Sequence, residues 1–403
     1  MDNATKKLTL IFVSVILLLC LFCGILLGRM SGKLRLLKEE NESLRAQSFS
    51  NDKLIEVRTL LDKVFIGEID EDFMTERLCG AMVEGIDDEW SYYISADEYA
   101  AYTENITNSY VGVGITIRLI EESDPGFTVV EVSPDSPAER AGVKPGDYLV
   151  AVEGESAMEL GMDETKNRVR GESGTEITVT FRADGVDRDV TMKRESVKSI
   201  NITYEMLDDG IGYIHIRNFE TDCAKDTIAA IEDLQKQGVK GIVFDLRFNP
   251  GGLKNELVKL LDYLLPEGVV FHSESITGEE EFDRSDAKYL DLPMSVLVNV
   301  DSYSAAELFA ASMQEYDAAT IVGTQTYGKG YFQQCFRLSD GSAINVSTGK
   351  YYTPEGVSLA GVGITPDRVI EVSDEEYYDI YLGDMEHEND VQLQEAINAV
   401  KGK

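Results

Sequence analysis

Ser302 and Ser304 stand in the stretch VLVNVDSYSAAELFAASM, at the end of an apolar run and just before a helical pattern. A serine at a strand-to-helix turn suits nucleophilic acyl transfer. The helix start offers unpaired backbone N–H groups and a positive dipole end to an oxyanion forming beside it. Ser304 also has a plainer use. Glu307 follows three residues on, and S-x-x-E ahead of an apolar run is a capping box. A nucleophilic serine further needs a base. Histidine, the usual choice, occurs only three times, as His215, His272 and His387. His215 lies in the alternating stretch YIHIR, and the other two sit in polar stretches with no motif around them. A lysine can serve instead if burial lowers its pKa far enough to populate the neutral amine. Lys329 stands out, set between two glycines in GTQTYGKGYFQQ, with Gln333 four residues on to orient its amine. A third piece is DLRFNPGGL, where Gly251 and Gly252 follow a strand pattern and precede a helical one. Paired glycines there expose backbone N–H groups, which suits an oxyanion hole, though an ordinary strand–turn–helix connection looks the same.

The surrounding elements show how such residues are positioned. From Ile211 onward strand and helix patterns alternate: IGYIHIRNF, AKDTIAAIEDLQKQG, VKGIVFDLRF, LKNELVKLLDYLLPEG, MSVLVNV, SAAELFAASMQEYD and ATIVGTQT. Such alternation predicts an α/β domain with a largely parallel sheet, whose sites lie at the C-terminal ends of the strands. Tyr110 to Val197 reads differently. YVGVGITIRLI, GFTVVEVSP, GDYLVAVEG and EITVTFRADGVDRDVTMKRE are strand-rich, with an Asp-Gly hairpin signal, and predict a compact mostly-β module. LIEVRTLLDKVF and MTERLCGAMVEGI predict helices before it, and VQLQEAINAVKG a helix at the end.

Composition narrows the function. The 403 residues carry 73 acidic against 37 basic side chains, a formal net charge of −36. That disfavours nucleic acid as a partner, because phosphate binding needs clustered Lys and Arg. Leu8 to Gly28 is an uncharged run, and about twenty apolar residues suffice to cross a bilayer. No A-x-A cleavage pattern follows, so an uncleaved anchor is predicted. A lipid-modified cysteine is a further option, although neither Cys20 nor Cys23 has convincing small residues before it. Lys6 and Lys7 precede the run, while Arg29, Lys33, Arg35 and Lys38 follow it. That bias favours a cytoplasmic continuation, although long domains translocate regardless. Cys79, Cys223 and Cys335 remain, an odd number without C-x-x-C, so neither a disulfide framework nor a zinc site is indicated. A Cys223–Cys335 pairing stays open, as does a heptad contact between Leu37 and Leu44 in the stalk KLRLLKEENESLRAQ.

These motifs together resemble those of the carboxyl-terminal processing proteases, or tail-specific proteases, a family of serine peptidases. DLRFNPGGL is close to a family signature. NVDSYSAAEL resembles its N-x-x-S-A-S-A-S-E segment, VGTQTYGKGYFQ its VG-x-x-T-F-G-K-G-x-x-Q segment, and YYTPEGVSLAGVGITPD its closing Y-x-T-P-x-G…G-I-x-P-D. The likeness covers nearly everything from residue 55 onward. It implies a Ser–Lys dyad, with Ser304 as nucleophile, Lys329 as base and Gln333 in support. The implied oxyanion hole is formed by backbone N–H groups at Gly251, Gly252 and Ala305. Tyr303 and Ala306 depart from the pattern, and the bulk of Tyr303 bears on substrate preference. The β module resembles the PDZ domain of this family, with Tyr110, Val111, Gly112, Val113, Gly114 and Ile115 as its carboxylate-binding loop. RVRGESGTE resembles the segment that couples this domain to the protease core, and Arg170 is the candidate there, or else a surface arginine in a charged hairpin.

The fold class so implied is an α/β protease core, ClpP/crotonase-like, with an inserted mostly-β PDZ domain and an N-terminal transmembrane helix. The expected order is a tail over 1–7, a transmembrane anchor over 8–28 and a juxtamembrane stalk over 29–50. A helical region over 51–104 follows, then the PDZ domain over 105–198, the serine protease core over 199–370 and a C-terminal helical region over 371–403. The implied protein is a membrane-anchored serine endopeptidase in the cell envelope, with its catalytic part extracytoplasmic. It captures unstructured C-terminal tails and needs no metal or other cofactor. Its partners are protein or peptide substrates, while a homodimer and an activating partner protein are left open. A catalytically silent peptide-binding scaffold of the same fold is the alternative, and an enzyme using Ser302 is a second.

Overall fold

The computed structural model describes residues 52–402, apart from residue 122. It divides into two compact units, one up to Met74 and one from Thr75. In the first, helix Asp52–Val64 matches the apolar spacing of LIEVRTLLDKVF yet buries none of its residues. A second helix, Glu71–Glu84, spans the boundary between the units and also buries none.

In the larger unit, strand Ser109–Gly112 pairs antiparallel with Glu195–Lys198. This ribbon ties together the two ends of the β module. Between them an antiparallel sheet runs in the order Ile115–Arg118, Phe127–Val132, Tyr148–Val152, Glu176–Ala183, Val186–Lys193, with the short strand Glu155–Ser156 beside the third. Val129, Leu149, Val152, Val179 and Phe181 form its dry interior. The Asp-Gly signal becomes a tight hairpin with positive φ at Asp184 and Gly185, the geometry of a primed turn. Ile115–Arg118 is an edge strand, and helix Met162–Val169 lies in the same module.

The α/β core is built on a second sheet. Its order is Ile202–Leu207, Ile211–Ile216, Gly241–Asp245, Met294–Val298, Ala319–Gly323, Arg368–Val369, parallel throughout except for the first pair. Gly241–Asp245 and Met294–Val298 are buried along their whole length, as expected of parallel strands covered on both faces. Ile242, Phe244, Val296 and Val298 face the helices Cys223–Lys236, Lys254–Leu264 and Ala305–Glu315. Val243 and Leu297 point the other way, into a layer made with Leu393, Ala396 and Val400 of helix Val391–Lys401. The hydroxyl of Ser295 donates to the Ala396 carbonyl at 3.0 Å across that layer.

A third sheet has no counterpart in the sequence reading. Tyr92–Ile94, Tyr331–Arg337, Gly268–Ser275 and Glu280–Ser285 assemble antiparallel around the long strand Ala343–Tyr352. Two of its strands, EEFDRS and YFQQCFR, are largely exposed and carry no continuous apolar run to announce them.

The expected fold class requires a correction. Among the described residues no helix is long and apolar enough to cross a membrane. The transmembrane helix is therefore not an element of the observed fold, and the stretch 8–28 on which it was expected lies outside the described residues. The tail 1–7 and the stalk 29–50 lie outside them too. What is observed is the sheet-and-helix core together with the β module. Cys79, Cys223 and Cys335 are all free thiols, so Cys223 and Cys335 do not pair.

Candidate active site

Ser304 is the N-cap of helix Ala305–Glu315, at φ 60° and ψ −120°. A non-glycine residue there is strained, and such strain persists only when its surroundings fix it. Glu307 does much of that fixing. Its side chain is fully buried and accepts four hydrogen bonds. They come from the Ser304 N–H (3.0 Å), the Thr326 hydroxyl (2.7 Å), the Gly328 N–H (2.7 Å) and the Lys329 N–H (2.9 Å). One carboxylate thus joins the turn that presents the serine to the turn that presents the lysine. Burial raises its pKa, and the four donors offset part of that rise. The sequence signalled Glu307 only as the second half of a capping box; its hold on the lysine turn is a tertiary contact without a local signature.

The glycine pair closes on Ser304 from the other side. Gly251 has φ 89°, and a Cβ there would lie 2.8 Å from Ser304 Cβ, Ala305 N and Tyr303 O. A Cβ on Gly252 would meet the Phe219 backbone at 2.5 Å. Both positions need glycine because backbone packs directly against backbone. The Gly251 N–H donates to Asn249 Oδ1 at 2.8 Å, and Asn249 is itself buried and anchored through Nδ2 to the Ile216 carbonyl.

Ser304, Ala305, Gly251, Gly252, Lys329 and Gln333 all line one cavity of about 560 Å³. Burial lowers the Lys329 amine to about 8, against the opposing pull of Asp88, Glu307 and Glu89. Its Nζ sits 4.0 Å from the ring centroid of Trp90. Gln333 donates from Nε2 to the Tyr331 carbonyl (3.1 Å) and the Ser347 hydroxyl (3.0 Å). The tyrosine hydroxyl of Tyr351 reaches the Lys329 carbonyl, which braces the turn. Trp90, the one tryptophan of the chain, was not singled out from the sequence; its neighbours DDEWSYY carry no chemical motif.

Ser302 is fully buried and does not line this cavity. Its hydroxyl donates to the Leu246 carbonyl at 2.7 Å and accepts from the Asn299 N–H at 2.9 Å. The histidines do not line it either. His272 is stacked between Phe282 and Tyr352, His387 lies against Tyr213, and His215 is half-buried in the central sheet with its pKa lowered, chiefly by desolvation.

A second cavity, about 290 Å³, lies in the β module between edge strand Ile115–Arg118 and the end of helix Met162–Val169. Tyr110, Val113, Gly114, Ile115 and Arg170 line it, with Arg170 Cζ 5.2 Å from the Tyr110 ring centroid. Gly114 has φ 86°, and a Cβ would strike Ser136 Cβ at 2.2 Å. Val111 and Gly112 stand apart from the cavity, in the ribbon opposite Ser196 and Glu195. The module meets the core through a two-pronged ion pair in which Arg217 grips Glu131 at 2.8 and 2.9 Å.

Comparison with known proteins agrees with this division. The model of peptidase family S41 matches residues 210–370, and a PDZ domain model matches residues 128–183. A carboxy-terminal-processing protease of Bartonella bacilliformis is 34% identical over 79% of this chain and 75% of its own. The carboxy-terminal processing protease CtpA of Bacillus subtilis is 29% identical over 92% of this chain and 78% of its own. Among solved structures, one described as an S41 protease from Bacteroides fragilis superimposes with a TM-score of 0.53 at 18% identity. It covers 80% of this chain and 90% of that one, a likeness of fold.

Proposed function

Since this chain belongs to peptidase family S41, whose relatives are named for carboxy-terminal processing, we propose that it cuts peptide bonds with a Ser304–Lys329 dyad. In this reading the β module first takes hold of an unstructured C-terminal tail. The observation that carries the proposal is the shared wall of one cavity, with Ser304 at a strained helix start and a desolvated lysine amine near 8. At neutral to mildly alkaline pH an appreciable share of that amine is unprotonated and can act as a base.

The chemistry follows from those groups. Lys329 Nζ takes the Oγ proton as Ser304 attacks the carbonyl carbon, and the oxyanion is received by backbone N–H groups of Gly252 and Ala305. Gly251 joins them once its N–H turns away from Asn249. The lysine ammonium returns its proton to the leaving amine, and water then hydrolyses the acyl-enzyme with Lys329 again as base. Gln333, its Nε2 held by Tyr331 and Ser347, has only its Oε1 to offer the amine. The tail adds to edge strand Ile115–Arg118, and its terminal carboxylate meets the backbone at Val113, Gly114 and Ile115 with Tyr110 and Arg170 beside it. Adding a strand to a sheet edge in this way is a common mode of peptide capture. Placement of the catalytic part in the cell envelope belongs to the same proposal, supported by the uncharged run over 8–28.

The test incubates the full chain, alongside Ser304→Ala and Lys329→Ala, with an unfolded polypeptide ending in apolar residues. Cleavage by the parent alone is expected. Cleavage that survives either substitution would dispose of the dyad, and amidation of the substrate's terminus should slow the parent if the tail is captured by its carboxylate. Protection of the catalytic part from protease added outside intact cells would dispose of the envelope placement.

A further inference from the structure

The cavity around Ser304 also contains a carboxylate that the chemistry above does not use. We propose that Glu220 selects substrates carrying a lysine or arginine side chain beside the scissile bond. This rests on the reading of that cavity as a peptidase site.

The backbone fixes where Glu220 stands. Phe219 is laced to the glycine turn, its N–H donating to the Gly251 carbonyl at 2.7 Å and its carbonyl accepting from the Leu253 N–H at 2.8 Å. Glu220 follows directly. Its own N–H is held by Asn218 Oδ1 at 3.1 Å and its carbonyl by the Cys223 N–H at 3.0 Å. The residue is thus built into the cavity wall next to the segment that faces Ser304, and it lines the cavity.

Its carboxylate is unlike the others nearby. Oε2 is closed off from solvent and has no donor among the described residues. Glu307 has four donors, as described above. Glu256 accepts from the Ala224 N–H at 3.0 Å and from Lys259 at 2.8 Å. Glu281, the other acid on the cavity wall, is paired with Lys254 at 2.8 Å. The two lysines of the wall are committed elsewhere. Lys254 also reaches Asp283 at 3.0 Å, and Lys329 lies over Trp90. Burial alone raises the Glu220 carboxyl, to about 7, with no neighbouring charge to hold it down.

A half-buried acid without a partner is costly to the protein, and the missing partner is a donor, best a cation. The cavity suits a long basic side chain in a second respect. Ile106, Leu253 and Phe332, each part-exposed, offer apolar surface to an aliphatic stem, while the charged head extends to the polar end, as lysine and arginine stems commonly do.

The experiment uses the full chain at pH 8 and pairs of peptides that share one C-terminal tail. Each pair carries lysine or norleucine, which keeps the stem and lacks the amine, at successive positions on either side of the cut. The ratio of kcat/KM for the two members is the readout, in the parent and in Glu220→Gln. Affinity of the Ser304→Ala protein for the same pairs is measured beside it, so that the ratio is obtained even without turnover. At one position the parent should favour lysine by ~10–100-fold, the range expected for a hydrogen bond to a charged group in a site built to receive it. In Glu220→Gln that ratio should fall close to one. Parity between lysine and norleucine at every position in the parent overturns the proposal, as does a preference that persists in Glu220→Gln. Absence of any cleavage by the parent would count against the peptidase reading instead, while the affinity ratio still decides the role of Glu220.

Discussion

Lys329 Nζ lies 4.0 Å from the centroid of the Trp90 ring. Trp90 is braced by Tyr303, at 5.9 Å between ring centroids, and by Tyr327 edge-on at 5.5 Å. The Tyr327 hydroxyl is tied in turn to Glu89. The lysine amine is therefore held by opposing influences. Burial favours the neutral amine, while the indole face, Asp88, Glu307 and Glu89 favour the ammonium.

This balance is measurable as a pH profile. With Lys329 as the base, kcat/KM rises with pH through a limb near 8. Trp90→Phe keeps apolar cover over the amine but has a weaker ring quadrupole, so the ammonium loses part of its support and the pKa falls. The limb should move about half a pH unit to the acid side, as expected for a cation–π difference of roughly 0.5–1 kcal/mol. A limb that stays in place, or moves to the alkaline side, would show that the indole does not favour the ammonium.

Glu307 offers a second test, because its carboxylate holds the Ser304 turn and the Lys329 turn at once. Glu307→Gln keeps the size but replaces one acceptor oxygen by a donor, which then confronts backbone N–H groups in a buried site. A loss of about 1–3 kcal/mol per unsatisfied buried group is expected, read as a lower urea midpoint. Because Ser304 N and Lys329 N share the oxygen Oε2, kcat should fall more than KM rises. A variant equally stable but inactive, or equally active but unstable, would separate the two roles that the geometry gives to this residue.

The parallel core was legible because its strands are short, uninterrupted apolar runs between amphipathic helices, as in GIVFD and MSVLV. The turns that carry Ser304 and Lys329 were legible because turn chemistry is local: a cap before a helix, a lysine between glycines. The antiparallel sheet around Ala343–Tyr352 was not, since its stability comes from ladder partners far away in sequence. Tyr92–Ile94, for example, pairs with Ala343–Asn345. Trp90 and Glu220 were missed for the same reason. What makes each of them noteworthy is a neighbour brought in by folding, or the lack of one, and no spacing in the sequence records that. The opposite failure is the transmembrane helix, where an apolar run was read as an element of a fold that does not include it among the described residues.

A third prediction concerns the buried ion network beneath the glycine turn. Arg247 is 3% exposed and pairs with Asp245 at 2.6 Å and with Asp390 at 2.8 Å. It thereby fastens helix Val391–Lys401, which Asp390 caps, to the strand that leads into Asn249 and Gly251. Burial alone would raise the Asp245 carboxyl, but the charge and hydrogen bonds of Arg247 outweigh it and hold it below the usual range. In the parent, then, Asp245 contributes stability above its unfolded pKa, and that contribution is lost as pH falls through the lowered folded value. Arg247→Met reverses the sign. Two buried acids lose their cation, and a destabilisation of about 3–5 kcal/mol is expected at pH 7. With Arg247 gone, burial raises the Asp245 pKa above its unfolded value of about 3.9, so the folded state now binds the extra proton. Urea unfolding as a function of pH should therefore show the deficit of Arg247→Met shrinking as pH is lowered from 7 toward 5. A deficit that is constant or grows over that window would mean that Asp245 does not depend on Arg247 for its charge.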